Sequence, residues 1–152
     1  MTIRCEIASQ DRMIFEGDVD IVVIPGIDGE MGILPNHAPL LTLMKMGVVK
    51  VRASGHEEYF TVTGGLAEVQ PEIITILAEA SENVEEIDIA RAEAALERAR
   101  QLLESGPASQ VVDNMDAIQA SLRRSTLRLD AARRYRSGRS RIPQPQTKES
   151  GE

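Results

Sequence analysis

The stretch that decides the fold is Ile24-Pro-Gly-Ile-Asp-Gly-Glu-Met-Gly-Ile-Leu-Pro-Asn-His-Ala-Pro-Leu-Leu41. Glycine permits positive φ, and proline fixes φ while removing a donor, so this backbone makes several specified turns. A polar linker would not also keep the apolar residues Ile24, Ile27, Met31, Ile33, Leu34, Leu40 and Leu41. The stretch therefore predicts short buried strands joined by tight corners.

Around this stretch, up to about residue 80, apolar residues tend to recur at every second position. Ile3, Cys5 and Ile7 alternate with polar residues, and β-branched or aromatic runs occupy 59–63 and 73–77. Turn signals recur at 16–18, 46–47, 54–55, 64–65 and 70–71. Many short strands at this spacing, without a βαβ alternation, predict an antiparallel β-sandwich or barrel.

From residue 81 the pattern becomes helical. An alanine-rich stripe (Ala92, Ala95, Leu96, Ala99, Leu102, Leu103) precedes a break at Gly106-Pro107. A second stripe follows it at steps of 4 and 3: Val111, Met115, Ile118, Leu122, Ser125, Leu129 and Ala132. These stripes predict an antiparallel two-helix hairpin. We divide the chain into a sandwich (1–84), a hairpin (85–136) and a basic, polar tail expected to be disordered (137–152).

Charge is unevenly distributed between the two parts. Residues 1–110 carry a net charge of −11 and residues 111–152 a net charge of +4, with eight arginines between Arg123 and Arg141. A basic segment on an acidic protein suits nucleic acid, a membrane surface or an acidic protein. Because Tyr135 is the one aromatic residue in that segment, base stacking is poorly supported, and an acidic protein is the preferred partner.

Several classes of function find no support in the sequence. The two histidines and one cysteine form no metal-ligand pair, and no phosphate-binding loop or nucleophile elbow is present. We therefore expect no catalytic residue and no metal. We interpret the lone Cys5 as a buried strand residue, and the absence of a second cysteine fits a reducing compartment. With no apolar signal core and no run long enough to span a bilayer, a cytoplasmic location is expected.

A few residues have both a structural and a functional interpretation. His37, between two prolines, is either a loop histidine bonded to nearby backbone or an interface residue, and Glu30 is either a solvated turn acid or a contact. Asp88 suits a helix N-cap, with Ile87 and Ala92 as a staple, but a helix N-terminus also attracts anions. Arg124 and Arg128, one turn apart, can reach one anionic ligand together.

Taken together, the His37-Ala-Pro-Leu-Leu41 loop, the Thr63-Gly-Gly-Leu-Ala-Glu-Val69 motif and the alanine-rich hairpin resemble the epsilon subunit family of bacterial F-type ATP synthase, called delta in mitochondria. The resemblance spans residues 1 to about 136. It implies a two-sheet β-sandwich followed by two helices. It further implies a non-catalytic rotor subunit in the central stalk, beside the gamma subunit and on the c-subunit ring, that helps to couple ion flow to ATP synthesis.

The resemblance also implies regulation by the hairpin. In the family, the hairpin lies on the sandwich when compact, and when extended it enters the alpha/beta catalytic head and blocks ATP hydrolysis. No cofactor is required, and ATP is a regulatory ligand of some members. The matching ATP-binding positions are Glu82, Ile87, Asp88, Arg91, Ala92, Arg124 and Arg128. Glu30 and His37 match the subunit-facing loops, and Arg123, Arg128, Arg133 and Arg134 form an inhibitory basic helix.

The implied location is peripheral, on the cytoplasmic face of the bacterial plasma membrane, with membrane association only through the complex. Two alternatives stay open at this point. A freestanding β-sandwich that binds a ligand would be a stable monomer without a partner. A nucleic-acid-binding protein, the weakest of the three, would show steep salt dependence.

Overall fold

A computed structural model of the chain describes residues 1–105, 114–136 and 142. They fall into two compact units. The first consists of Met1–Asn83 together with Ile142, and the second runs from Val84 to Ser137, of which residues 84–105 and 114–136 are described.

The first unit is built from strands alone in its described part. They are β1 (Ile3–Ala8), β2 (Met13–Val19), β3 (Ile21–Gly26), β4 (Gly29–Ile33), β5 (Leu40–Met44), β6 (Gly47–Ala53), β7 (His56–Val62), β8 (Gly65–Val69), β9 (Ile73–Ala78) and β10 (Ser81–Asn83). Neighbouring strands follow the order β10-β7-β6-β3-β5-β8-β9-β1-β2, and β4 pairs with β3.

The sheet closes on itself as two layers. β3 meets β5 only at Gly26 and Met44, so the sheet turns there. β2 and β7 lie near opposite ends of the strand order, yet the rings of Phe15 and Phe60 are 5.4 Å apart between centroids. Such a contact requires the two halves to face each other, with the core between them. The predicted β-sandwich is confirmed.

Apolar side chains at alternate positions of the strands fill this core. Ile3, Cys5 and Ile7 are fully buried on β1, as are Val49 and Val51 on β6. Burial raises the pKa of the Cys5 thiol, because the thiolate would lose its hydration. Within the described residues, the one parallel pairing joins β1 to β9, and every other pairing is antiparallel.

Two local predictions are wrong. Of the residues expected in buried strands, Ile27, Leu34 and Leu41 are 55–64 % exposed. The turn expected at 16–18 lies inside β2. Gly17 is buried there, and a Cβ on it would come within 3.2 Å of the Phe15 ring. This glycine makes room for a core aromatic side chain and does not turn the chain.

The second unit contains a short 3-10 turn (Val84–Glu86), α1 (Ile89–Glu104) and α2 (Met115–Tyr135). The helices are antiparallel, since Glu93 near the start of α1 pairs with Arg133 near the end of α2. Ile118, Ser125, Leu129 and Ala132 are buried on α2, as the stripe predicts. Val111 and the predicted Gly106-Pro107 break lie outside the described residues.

The tail contributes one described residue. Ile142 is 4 % exposed and belongs to the sandwich core, whereas the sequence predicts disorder for 137–152. The rest of the predicted tail lies outside the described residues.

Candidate functional site

A row of leucines crosses three strands on the outside of the sandwich. Leu43 on β5 lies opposite Leu66 on β8, which lies opposite Leu77 on β9. Directly paired residues share one face of a sheet. Leu43 and Leu77 are 56 % and 53 % exposed, and Leu66 is half-buried. These three residues, called the leucine row below, therefore present apolar surface to the outside of the sandwich.

The next pairs along the strands show how sharply the two faces differ. Ala67 and Ile76 form the adjacent pair, and both are fully buried in the core. On the outer side, Leu41 (64 % exposed) is paired with Glu68, so charge borders the apolar surface. The sequence prediction did not find the row: it assigned the neighbouring Leu40 and Leu41 to buried strands and made no assignment for Leu43. The available signal was the alternation itself, which puts Leu41 and Leu43 on the face opposite the buried Met44.

Glu30 lies within β4, not on the turn expected for it, whereas His37 lies in the loop between β4 and β5. Glu30 is exposed on β4, where it pairs with Pro25. His37 is half-buried, and its Nδ1 donates a hydrogen bond to the Ala38 carbonyl at 2.7 Å. The preceding Asn36 adopts φ 60° and donates its N–H to Pro71 O at 2.8 Å. Backbone hydrogen bonds thus hold the loop in place. The bond from His37 to nearby backbone, which the structural interpretation expects, is present.

The start of α1 is a well-formed cap. Asp88 Oδ1 accepts a hydrogen bond from Arg91 N at 3.0 Å, so its N-cap role is confirmed. Ile87 and Ala92 are buried, while the Arg91 side chain is exposed. Glu82 belongs to the other unit, on β10, where its carbonyl accepts from Thr61 Oγ1 at 3.4 Å.

Most arginines of α2 lie outside its buried stripe and are exposed. Arg123, Arg124, Arg133 and Arg134 are exposed and Arg128 is half-buried. Arg133 Nη2 lies 3.7 Å from Glu93 Oε1, with both side chains more than half exposed. The Arg134 guanidinium lies 5.4 Å from the centre of the Tyr135 ring. The stripe and the charged face thus coexist on one helix.

Arg136 has a structural role that the sequence did not reveal. Its Nη2 donates to the carbonyls of Val84, Glu85 and Ile87 at 3.1, 3.1 and 2.5 Å. Its Nε lies 4.0 Å from Glu85 Oε2. One guanidinium therefore ties the end of α2 to the turn that precedes α1. Its partners are about 50 residues away in sequence, so spacing gives no signal for the contact.

An open groove of about 280 Å³ lies between the helices, away from the Asp88 cap. Its walls are Ala95, Arg98, Ala99, Leu102, Ala117, Ile118 and Ser121. None of the predicted ATP-binding residues lines it. Across the described residues there is no cluster of carboxylates, histidines and cysteines able to hold a metal, and no helix is long and apolar enough to cross a membrane.

Two family models match the chain in series. Residues 2–84 match the ATP synthase delta/epsilon chain β-sandwich domain, and residues 85–133 match the delta/epsilon chain long α-helix domain. The ATP synthase epsilon chain of Dehalococcoides mccartyi is 43 % identical over 136 residues, or 88 % of this chain and 94 % of that one. That of Halalkalibacterium halodurans is 38 % identical over 133 residues, or 88 % and 98 %.

Solved structures show the same fold at lower identity. One chain in the cryo-EM structure of the Euglena gracilis mitochondrial ATP synthase (OSCP/F1/c-ring) aligns with a TM-score of 0.61 and 24 % identity, over 85 % of this chain and 76 % of that one. A chain in the Tetrahymena thermophila mitochondrial ATP synthase central stalk and c-ring aligns with a TM-score of 0.52 and 13 % identity, over 87 % and 97 %.

Proposed function

This chain belongs to the ATP synthase delta/epsilon family, as an epsilon subunit of the F type, and we propose that its role in the central stalk is binding and regulation without catalysis. The sandwich (1–84) holds the subunit in the rotor, between the gamma subunit and the c-subunit ring. The hairpin (85–136) regulates ATP hydrolysis in the alpha/beta head. The location is peripheral, on the cytoplasmic face of the plasma membrane.

The observation that carries the stalk role is the leucine row. Leu43 and Leu77 each leave more than half of their surface in water, which disfavours the row in an isolated monomer. A partner that covers the row would recover roughly 25 cal/mol for each Å² of apolar surface removed from water. The row therefore favours a stable protein partner, and we assign it to the gamma subunit.

The test is co-purification of this chain with the gamma subunit of the same synthase. A Leu43→Glu/Leu77→Glu variant should bind gamma at least about tenfold more weakly, a loss of about 1.4 kcal/mol, because two buried charges would lack partners. Leu102→Glu is the matched control: Leu102 is 48 % exposed but lies on α1, so the change should leave gamma binding intact. Unchanged binding by a folded double variant would exclude the row as the interface.

We also propose that Glu30 and His37 contact neighbouring subunits of the synthase. Glu30 is exposed on β4 and His37 lies in a loop held by backbone hydrogen bonds, so Glu30→Lys and His37→Asp should weaken assembly without unfolding the sandwich. If His37→Asp instead lowers the melting temperature sharply while assembly at low temperature persists, its bond to Ala38 is the whole of its role.

The regulatory role rests on the exposed arginines of α2. Its buried stripe packs on α1, while Arg123 and Arg134 are exposed, Arg133 forms only an exposed pair with Glu93, and Arg128 is half-buried. This set of guanidinium groups suits an acidic surface. ATP is proposed as the ligand of the compact hairpin, bound near Ile87, Asp88 and Ala92, with Glu82 upstream. Its phosphates would contact Arg91, Arg124 and Arg128. Exposed guanidinium groups and a helix N-terminus are suited to phosphate.

A further inference from the structure

Ile142 is set apart from the other residues of the sandwich core by its position in the chain. Its side chain is 4 % exposed among the core residues, and its backbone N–H donates to Glu58 Oε2 at 3.1 Å. Eighty-four positions separate the two residues in sequence. A chain segment that follows both helices thus returns to the strand unit.

The acceptor of this bond occupies an unusual position. Along β7, His56 is exposed while Glu58 and Phe60 are buried, so Glu58 faces inward where alternation would place an apolar residue. A buried carboxylate is costly unless hydrogen bonds satisfy its oxygens. Asn83 Nδ2 donates a hydrogen bond to Glu58 Oε1 at 3.0 Å, and the Ile142 N–H donates to Glu58 Oε2.

These two donors mark both ends of the helical unit. Asn83 is the last residue of the strand unit before the chain enters the 3-10 turn, and Ile142 is where the described chain rejoins it. One carboxylate therefore holds the departing and the returning segment together.

We propose that Ile142 and Glu58 form a latch that keeps the regulatory hairpin compact, and that the hairpin extends only after Ile142 leaves the sandwich core. This inference rests on the regulatory role proposed above. The latch consists of the buried Ile142 side chain and the hydrogen bond from its N–H to Glu58.

Chain length makes the latch effective. Six peptide units connect Arg136 to Ile142, and fully extended they reach about 20 Å. A 21-residue helix such as α2 is about 30 Å long. While Ile142 is seated, the end of α2 cannot move away by its own length. Extension into a catalytic head therefore requires Ile142 to be released first.

The seated state is tested by hydrogen exchange in the full isolated chain. The Ile142 amide should exchange at least about 100-fold more slowly than in an unstructured peptide of the same sequence, because its hydrogen bond lies in the core. Exchange at the peptide rate would overturn the proposal.

The restraint is tested by a distance measurement between spin labels at Arg52→Cys and Asp130→Cys, both exposed positions. The native Cys5 is fully buried and stays unlabelled. Ile142→Ser should raise the population with long label distances at least threefold, whereas the conservative control Ile142→Val should leave it unchanged. Equal distributions in the Ser and Val variants would overturn the latch.

A pair of truncations covers the case in which Ile142→Ser fails to fold. A chain ending at Arg136 should behave like Ile142→Ser, and one ending at Gln144 like the full chain. Equal label distances in the two truncated chains would overturn the proposal. None of these readouts depends on ATP hydrolysis, so absence of inhibition in the assembled synthase would reject the proposed function without being mistaken for failure of the latch.

Discussion

At the scale of single residues, Gly29 and Gly65 have nearly the same backbone but different surroundings. Their φ angles are 141° and 142°, a region that residues with a side chain rarely adopt. A Cβ on Gly29 would meet nothing within 4 Å, whereas one on Gly65 would lie 2.2 Å from the Leu77 carbonyl oxygen. A comparison of the two positions therefore distinguishes the cost of backbone strain from the cost of steric overlap.

We expect Gly29→Ala to lower the free energy of unfolding by about 1–3 kcal/mol, the usual cost of a disfavoured backbone conformation. Gly65→Ala should cost more than 4 kcal/mol or prevent folding, because β8 and β9 cannot separate without breaking their hydrogen bonds. Thermal unfolding followed by far-ultraviolet circular dichroism checks both. Similar losses in the two variants would show that β8 shifts to accommodate the methyl group.

A residue's own sequence neighbourhood decides how well its role can be predicted. The cap at Asp88 follows from residues within four positions, and it was predicted. The leucine row was not predicted, because the alternation along β5 separates the two faces of the strand but does not report which face a partner covers. Arg136 and Glu58 act on groups 25 to 84 positions away, and no short-range pattern reports such contacts.

At the scale of elements, α2 has a buried stripe that the sequence predicts and exposed arginines whose role depends on a partner. Its stripe of buried residues follows from steps of 4 and 3. Its exposed Arg133–Glu93 pair with α1 contributes at most about 1 kcal/mol. A pair this weak opposes binding of Arg133 to another, more acidic surface only slightly.

Replacing Arg123, Arg128, Arg133 and Arg134 with Ala should raise ATP hydrolysis by the assembled synthase several-fold. Four contacts of about 0.2–1 kcal/mol each, the usual contribution of a surface ion pair, are sufficient for this effect. The matched control is Arg98→Ala/Arg100→Ala, which removes exposed charge from α1 and should leave inhibition in place. Unchanged hydrolysis in the α2 variant would exclude the basic face as the inhibitor.

ATP binding belongs to the same element. Calorimetry on the isolated chain should detect ATP at or below millimolar concentration, and Arg124→Ala/Arg128→Ala should weaken binding at least about tenfold through loss of charge-assisted hydrogen bonds. Arg52→Ala, an exposed arginine of β6, serves as the control. Absence of binding heat at millimolar ATP would reject this site.

At the scale of the whole molecule, the change of period near residue 81 predicts where the architecture changes, because strands and helices impose different spacings of apolar residues. The order of strands could not be predicted in the same way. The parallel pairing of β1 with β9 joins segments almost 70 residues apart, and alternation is the same for parallel and antiparallel neighbours. The return of Ile142 to the core is likewise a property of the complete chain.

The position of β1 between β2 and β9 has a consequence for synthesis on the ribosome. Its β2 partner follows within a few residues, but β9 begins only at Ile73. At 5–20 residues per second, roughly 3 to 13 seconds pass between the translation of β1 and that of β9. During that interval the nascent chain exposes an unpaired edge containing Ile3, Cys5 and Ile7, open to association with other nascent chains. Chaperone demand should therefore peak before the codons of β9 are read.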